Sequence, residues 1–177
     1  MKFRILQDIL SYLGENFSKE LSSNATGTRI HQHIKKETGC YDPYYLQKRE
    51  GNEIALSLIP RIREILEEDN SLETYVKIAI VGNILDFGTY GLNTEFESMI
   101  SEGLKKELAI NKIDEFEDAL KKYDKVLYLV DNTGEIVFDK FLLEKIREYD
   151  VDITVAVKER PILNDACMKE ALEAGLD

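Results

Sequence analysis

Acidic and amide side chains follow an apolar run in the C-terminal third of the chain. Residues Val126 to Val130 are apolar without interruption, which predicts a strand covered on both faces in a parallel sheet. Asp131 and Asn132 end this run, a Thr-Gly turn follows, and from Glu135 the apolar spacing becomes helical. In α/β proteins, ligands bind where such strands end. The free N–H groups at the start of the next helix suit an anion such as phosphate.

A second strand leads to another carboxylate. Residues 151–157 alternate and are rich in β-branched side chains, and Asp165 follows after a short loop, at the predicted start of the last helix. Neighbouring strands lie about 5 Å apart, so Asp131 and Asp165 would face one crevice with Asn132 between them. The alternative is that these polar residues, or Asn164, only cap helices.

An oxygen-only ligand set of this kind suits Mg²⁺ or Mn²⁺, which polarise a phosphoryl oxygen and steady its leaving group. Lys158 and Arg160 precede Asp165 and could neutralise phosphate charge. Asn83 and Asp86 are polar residues at the end of an apolar stretch. They either satisfy buried backbone groups or line the crevice.

The elements around this site are predicted to be mostly helical over residues 1–112 and β-α-β-α over residues 113–177. A two-stranded parallel sheet does not stand alone easily, so further strands must come from a misassigned helix, another subunit or chain beyond residue 177. The expected helices are 3–17, 28–36 after a break at 24–27, 44–68 with a kink or break at Pro60, 72–87, 96–108, 114–123, 135 onward and 165–174.

The charge balance excludes several classes of partner. There are 34 acidic and 23 basic residues, a formal charge of −11, which disfavours nucleic acids and anionic membranes. A bound cation would still admit a small anionic substrate. The two cysteines form no CxxC pair, the N-terminus is charged rather than signal-like, and no apolar run has transmembrane length. We therefore expect a cytoplasmic protein.

Four motifs in order resemble the metal-dependent damage-control phosphatase family, also called acidic-residue-methyltransferase-1-like. They are residues 42–44 with Lys48, residues 82–88, residues 130–139 and residues 158–166. The resemblance implies a helical N-terminal part and a Rossmann-like αβα sandwich with a parallel sheet. It implies a metal held by Asp131, Asn132 and Asp165, with Mn²⁺, Co²⁺, Ni²⁺ or Mg²⁺ supporting hydrolysis of small phosphorylated metabolites.

The chain departs from that pattern at both ends. It has no CxxC at its start, and it stops where family members continue into further strands. We therefore expect an incomplete sheet: either the chain is a fragment or split product, or further copies or a partner chain complete the sheet.

The predicted function is a metal-dependent phosphatase, with Asp131 and Asp165 as catalytic residues. Substrate contacts are assigned to Asn83, Asp86, Glu135, Lys158 and Arg160. One alternative is a carboxyl methyltransferase, although no glycine-rich turn suited to S-adenosylmethionine is evident. The other is a non-catalytic, metal-binding subunit that needs a partner chain.

Overall fold

Helices make up most of the structure, a computed structural model that describes residues 1–84 and 96–177. Among these residues, no helix combines the length and apolar content that crossing a bilayer requires. The described elements in chain order are α1 (Lys2–Asn16), α2 (Ser23–Thr38), α3 (Tyr45–Ser57), α4 (Ile59–Glu68), α5 (Leu72–Ile84), α6 (Phe96–Lys105), α7 (Ile113–Lys122), β1 (Lys125–Leu129), α8 (Glu135–Arg147), β2 (Asp152–Ala156) and α9 (Met168–Glu173).

The two predicted strands pair in parallel, which confirms the α/β class. Val126 lies opposite Ile153 and Leu129 opposite Ala156, and α8 makes the connection between the strands. Residues 1–84 and 96–177 contribute no third strand, so the sheet in this part of the chain is two-stranded.

One face of the sheet packs on the helices and the other is exposed. Val126 and Tyr128 contact the core, whereas Leu127 and Leu129 on the opposite face are 65% and 71% exposed. Successive side chains of a strand point to opposite faces, so helices on one side cover only every second residue. The expectation of a strand buried on both faces is therefore wrong for the described residues.

The core centres on α8 and α5. Ile136, Val137 and Phe138 at the start of α8 are fully buried. Gly82 of α5 lies so close to α8 that an added Cβ would stand 2.7 Å from the Cβ of Phe138. The helix predicted for residues 72–87 is confirmed through Ile84, and the glycine lets the two helices approach closely.

The predicted start of the second helix is wrong. The predicted break at residues 24–27 lies inside α2, and Thr28 is an interior residue rather than a cap. The side-chain oxygen of Ser22 accepts the Ala25 N–H and caps the helix earlier, so the helix continues through Gly27. Gly39, with φ of 66°, ends the helix as predicted.

The predicted break near Pro60 is confirmed, because α3 ends at Ser57 and the proline lies in the first turn of α4. The last helix is shorter than expected and begins at Met168, with Cys167 as its N-cap residue. Asp165 therefore lies in a loop, neither it nor Asn164 caps the helix, and Cys167 is not inside it.

Candidate functional site

Two loops at the carboxyl ends of the strands form the candidate site. The first loop, residues 130–134, joins β1 to α8, and the second loop, residues 157–167, joins β2 to α9. The N–H of Ala166 in the second loop donates to the carbonyl of Asp131 in the first over 2.7 Å. The contact between the parallel strands is thus continued by a direct contact between the loops.

One further backbone hydrogen bond holds the predicted ligands side by side and, with the Ala166 bond, makes a short antiparallel bridge. The N–H of Thr133 donates to the carbonyl of Asn164 over 2.9 Å. Asn132 and Asp165 pair as an isolated antiparallel bridge. The spacing of the ligands from the two loops is therefore set by hydrogen-bonded backbone and not by surface side-chain rotamers alone.

Lys158 lies between the two predicted catalytic carboxylates. Its Nζ is 3.6 Å from Oδ1 of Asp131 and 3.5 Å from Oδ2 of Asp165. Burial, and then the charge of Asp131, raise the pKa of the Asp165 carboxyl, while Lys158 acts in the opposite direction. The structure therefore brings these three predicted site residues together, at a place that attracts positive charge.

Glu135 orients the amide of Asn132. Its Oε2 accepts hydrogen bonds from the Asn132 backbone N–H over 3.3 Å, from Asn132 Nδ2 over 3.2 Å and from Asn83 Nδ2 over 2.9 Å. Because the amide nitrogen of Asn132 turns towards Glu135, its oxygen lies on the other side of the amide group. Asn83 and Glu135, both predicted to bind substrate, thus contact each other, and Glu135 in turn contacts Asn132, a predicted metal ligand.

The start of α8 offers fewer free donors than the sequence suggests. The N–H of Gly134 donates to Oδ1 of Asn52 over 2.9 Å, and the N–H of Asn132 donates to Glu135. Gly134 has φ of 88°, a conformation that favours glycine. The expectation of free N–H groups for an anion is wrong for these two, because side chains already satisfy them.

Among the residues that the structure describes, Arg160 is not part of this contact network. Arg160 is exposed, and its described ion pair is with the adjacent Glu159 at 3.5 Å. Asp86 lies outside the described residues.

The donor atoms fit a hard divalent cation. Asp131 and Asp165 supply carboxylate oxygens and Asn132 a carboxamide oxygen, the ligand types that Mg²⁺ and Mn²⁺ take. In the described ranges, no group of three or more His, Cys, Asp or Glu side chains comes together to hold a metal. Within those ranges, the third member of the predicted ligand set is therefore the Asn132 amide.

Sequence reasoning placed Asp42 and Lys48 in a family motif but did not predict the buried polar cluster that they form behind the loops. The Lys48 side chain is only 1% exposed, and its Nζ lies 2.9 Å from Asp42 and 3.0 Å from Glu170. Burial favours a lower pKa for Lys48, but the hydrogen bonds to these two carboxylates outweigh it and raise the pKa. Asn52, 2% exposed, lies one turn further along α3. The available signal was a lysine and an asparagine four residues apart on a helix with apolar neighbours.

A second missed pair lies beneath the first loop. The hydroxyl of Tyr128 donates to Oδ1 of Asp139 over 2.7 Å, and Asp139 is buried. Burial, together with the charges of Glu135 and Asp131, raises the pKa of Asp139 to about 7, although the Tyr128 hydrogen bond opposes the shift. Asp139 follows Glu135 by four residues on α8, so it lies on the helix face that turns towards the site.

Comparison with known proteins identifies the family of the chain. The family model described as "Damage-control phosphatase ARMT1-like domain" matches residues 2–177. The chain belongs to this family. The resemblance seen in the four motifs is therefore confirmed.

Several similar proteins come from archaea. A "Damage-control phosphatase" of Archaeoglobus fulgidus is 34% identical over 97% of this chain and 60% of its own length. An uncharacterised protein of Methanocaldococcus jannaschii is 35% identical over 99% of this chain and 60% of its own length. The crystal structure of a DUF89 family protein from Pyrococcus horikoshii matches with a TM-score of 0.84 and 30% identity, over 98% of this chain and 60% of that one. The chain thus spans about 60% of the length of these relatives.

Proposed function

We propose that this chain carries the site of a divalent-metal-dependent phosphatase that hydrolyses small phosphorylated metabolites. The observation that supports this most directly is the pair of carboxylates, Asp131 and Asp165, on hydrogen-bonded loops with Lys158 between them. The names of the archaeal relatives support phosphatase chemistry.

Each residue has a distinct role in this proposal. Asp131, Asn132 and Asp165 hold the cation, which when bound supplies positive charge for the phosphoryl oxygens. Glu135 keeps the amide oxygen of Asn132 turned away from itself. Lys158, already within 3.6 Å of both carboxylates, neutralises phosphate charge beside them.

The substrate class follows from the charge of the molecule. With a formal charge of −11, the chain repels extended polyanions. A small phosphate ester needs only the local positive charge of the cation and Lys158. We therefore assign the substrate to low-molecular-weight phosphomonoesters, within a cytoplasmic setting.

The test replaces one ligand without changing its shape. In Asp165→Asn we expect hydrolysis of p-nitrophenyl phosphate in the presence of Mn²⁺ to fall at least about 100-fold, because a charged ligand is lost. Asp152→Asn is the matched control: it changes an exposed aspartate at the opposite end of β2 and should leave activity within about twofold of wild type.

Electron paramagnetic resonance of the free ion then measures Mn²⁺ binding to wild type, Asp165→Asn and Asp152→Asn. Binding should fall only in Asp165→Asn. Equal activity in both variants, or activity that chelators do not reduce, would remove the proposal. Transfer of a labelled methyl group from S-adenosylmethionine, without phosphate release, would favour the methyltransferase alternative.

A further inference from the structure

One face of α3 contacts both sides of the candidate site. Lys48 and Asn52 are four residues apart, so their side chains leave the same face of the helix. Asn52 Oδ1 accepts the N–H of Gly134 in the first loop, and its Nδ2 donates to the carbonyl of Glu170 in α9 over 3.4 Å. One buried amide therefore spans the elements that follow the two strands.

Lys48 also links α3 to α9 and, through Glu170, to the second loop. Its ammonium pairs with Oε1 of Glu170, and Oε2 of Glu170 accepts the N–H of Cys167, the last residue of the second loop, over 3.0 Å. The loops also bond to each other directly through Ala166. The contacts form a closed circuit from α3 through the first loop, the second loop and α9 back to α3.

We propose that Asn52 is a positioning residue that fixes the spacing of the two loops and thereby sets the affinity of the site for a divalent cation. The cation itself rests on the proposed function, whereas the effect on loop spacing does not. Asn52 touches none of the three predicted ligands in the described contacts, so it acts through Gly134 and Glu170.

The chemistry of a buried amide supports a positioning role over simple packing. An apolar side chain at this place would leave the N–H of the buried Gly134 without its described acceptor, which costs stability. An asparagine supplies an acceptor to the first loop and, at the same time, a donor to α9. Groups that support metal ligands in this way typically change metal affinity by about 10- to 100-fold when removed.

The experiment compares two truncations on the same helix. Asn52→Ala removes both hydrogen bonds. Ile54→Ala is the matched control, because Ile54 is a buried core residue of α3 whose loss creates a cavity. Both proteins are studied below their unfolding temperatures, by Mn²⁺ titration and by amide hydrogen exchange of peptides covering the two loops.

We expect Asn52→Ala to weaken Mn²⁺ binding at least about tenfold and to speed exchange in both loops. Ile54→Ala should destabilise the fold yet leave Mn²⁺ affinity within about threefold of wild type. Equal affinities in wild type and Asn52→Ala, or equal losses in the two variants, would overturn the inference.

Failure of the proposed function would give a different result from failure of the inference about Asn52. If the wild-type protein itself binds no Mn²⁺, the proposal of a metal site is wrong. Hydrogen exchange is then the only test of the role of Asn52 in loop spacing. Faster exchange in both loops for Asn52→Ala only would then support the role of Asn52 in fixing the loops. Unchanged exchange would overturn it.

Discussion

At the scale of single residues, the site groups several charged side chains together. Asp131 and Asp165 share Lys158, and Asp139 lies buried beneath them with Tyr128 as its hydrogen-bond donor. Burial raises the pKa of both Asp139 and Asp165. The folded chain therefore holds protons that the unfolded chain releases, and its stability depends on pH.

Asp139 gives this dependence a definite direction. Its pKa is about 7 in the folded chain and about 4 when unfolded. The protonated carboxyl therefore stabilises the fold fully below about pH 4, and that contribution is lost as pH rises through about 7. Asp139→Asn keeps an acceptor for Tyr128 but does not titrate. As pH rises from about 5 to about 8, its free energy of unfolding should increase by a few kcal/mol relative to that of wild type.

Chemical denaturation in chelator-treated buffer across this range measures the difference. Asp118→Asn on the exposed face of α7 is the control and should show no such trend. A difference between wild type and Asp139→Asn that stays flat across the range would contradict the assignment.

At the scale of elements, α5 and α8 approach each other closely. Gly82 permits it, because a methyl group there would stand 2.7 Å from the Cβ of Phe138. The start of α8 carries Glu135, and the end of α5 carries Asn83, which donates to it. The packing of α5 against α8 thus determines how Glu135, which orients Asn132, is held.

Gly82→Ala should destabilise the fold by about 1–3 kcal/mol, because the core must shift to admit the methyl group. Gly27→Ala is the matched control: Gly27 lies inside α2 with no atom within 4 Å of the added Cβ. It should stabilise by about 0.5–1 kcal/mol through helix propensity. Urea unfolding of both variants measures these shifts, and a stabilising Gly82→Ala would show that α5 and α8 are less tightly packed than described.

At the scale of the whole molecule, one core joins the helical part to the β-α-β-α part. Ile62 and Ile78 belong to the same buried cluster as Phe138 and Ala171. Lys48 adds an ionic link, since it comes from α3 and binds Glu170 of α9. Because a shared core couples the two parts, residues 1–112 and 113–177 should unfold together.

Lys48→Met tests this link. The change leaves Asp42 and Glu170 facing each other without their cation, and should cost about 3–5 kcal/mol of unfolding free energy. Unfolding should remain one transition, with far-ultraviolet circular dichroism and tyrosine fluorescence changing together. Arg61→Met, which breaks an exposed pair with Glu64, should cost less than about 1 kcal/mol. Two separate transitions in the wild-type protein would contradict the shared core.

The sequence by itself determined most of the elements and predicted the chemical type of the site. Periodicity predicted the two strands and the helices that surround them, because burial of one face leaves a regular apolar spacing. Polar residues at strand ends predicted Asp131, Asn132 and Asp165, since parallel strands bring their carboxyl ends to one edge. Four motifs predicted the family.

Only the tertiary structure decided how those ligands are held. Asn52 meets Gly134 across 82 residues and Glu170 across 118, and no local pattern reports contacts at such separations. The loop that keeps Asp165 out of α9 likewise depends on the bond from Ala166 to Asp131. Side chains and backbone groups distant in sequence compete with local preferences, and burial decides which of them is satisfied.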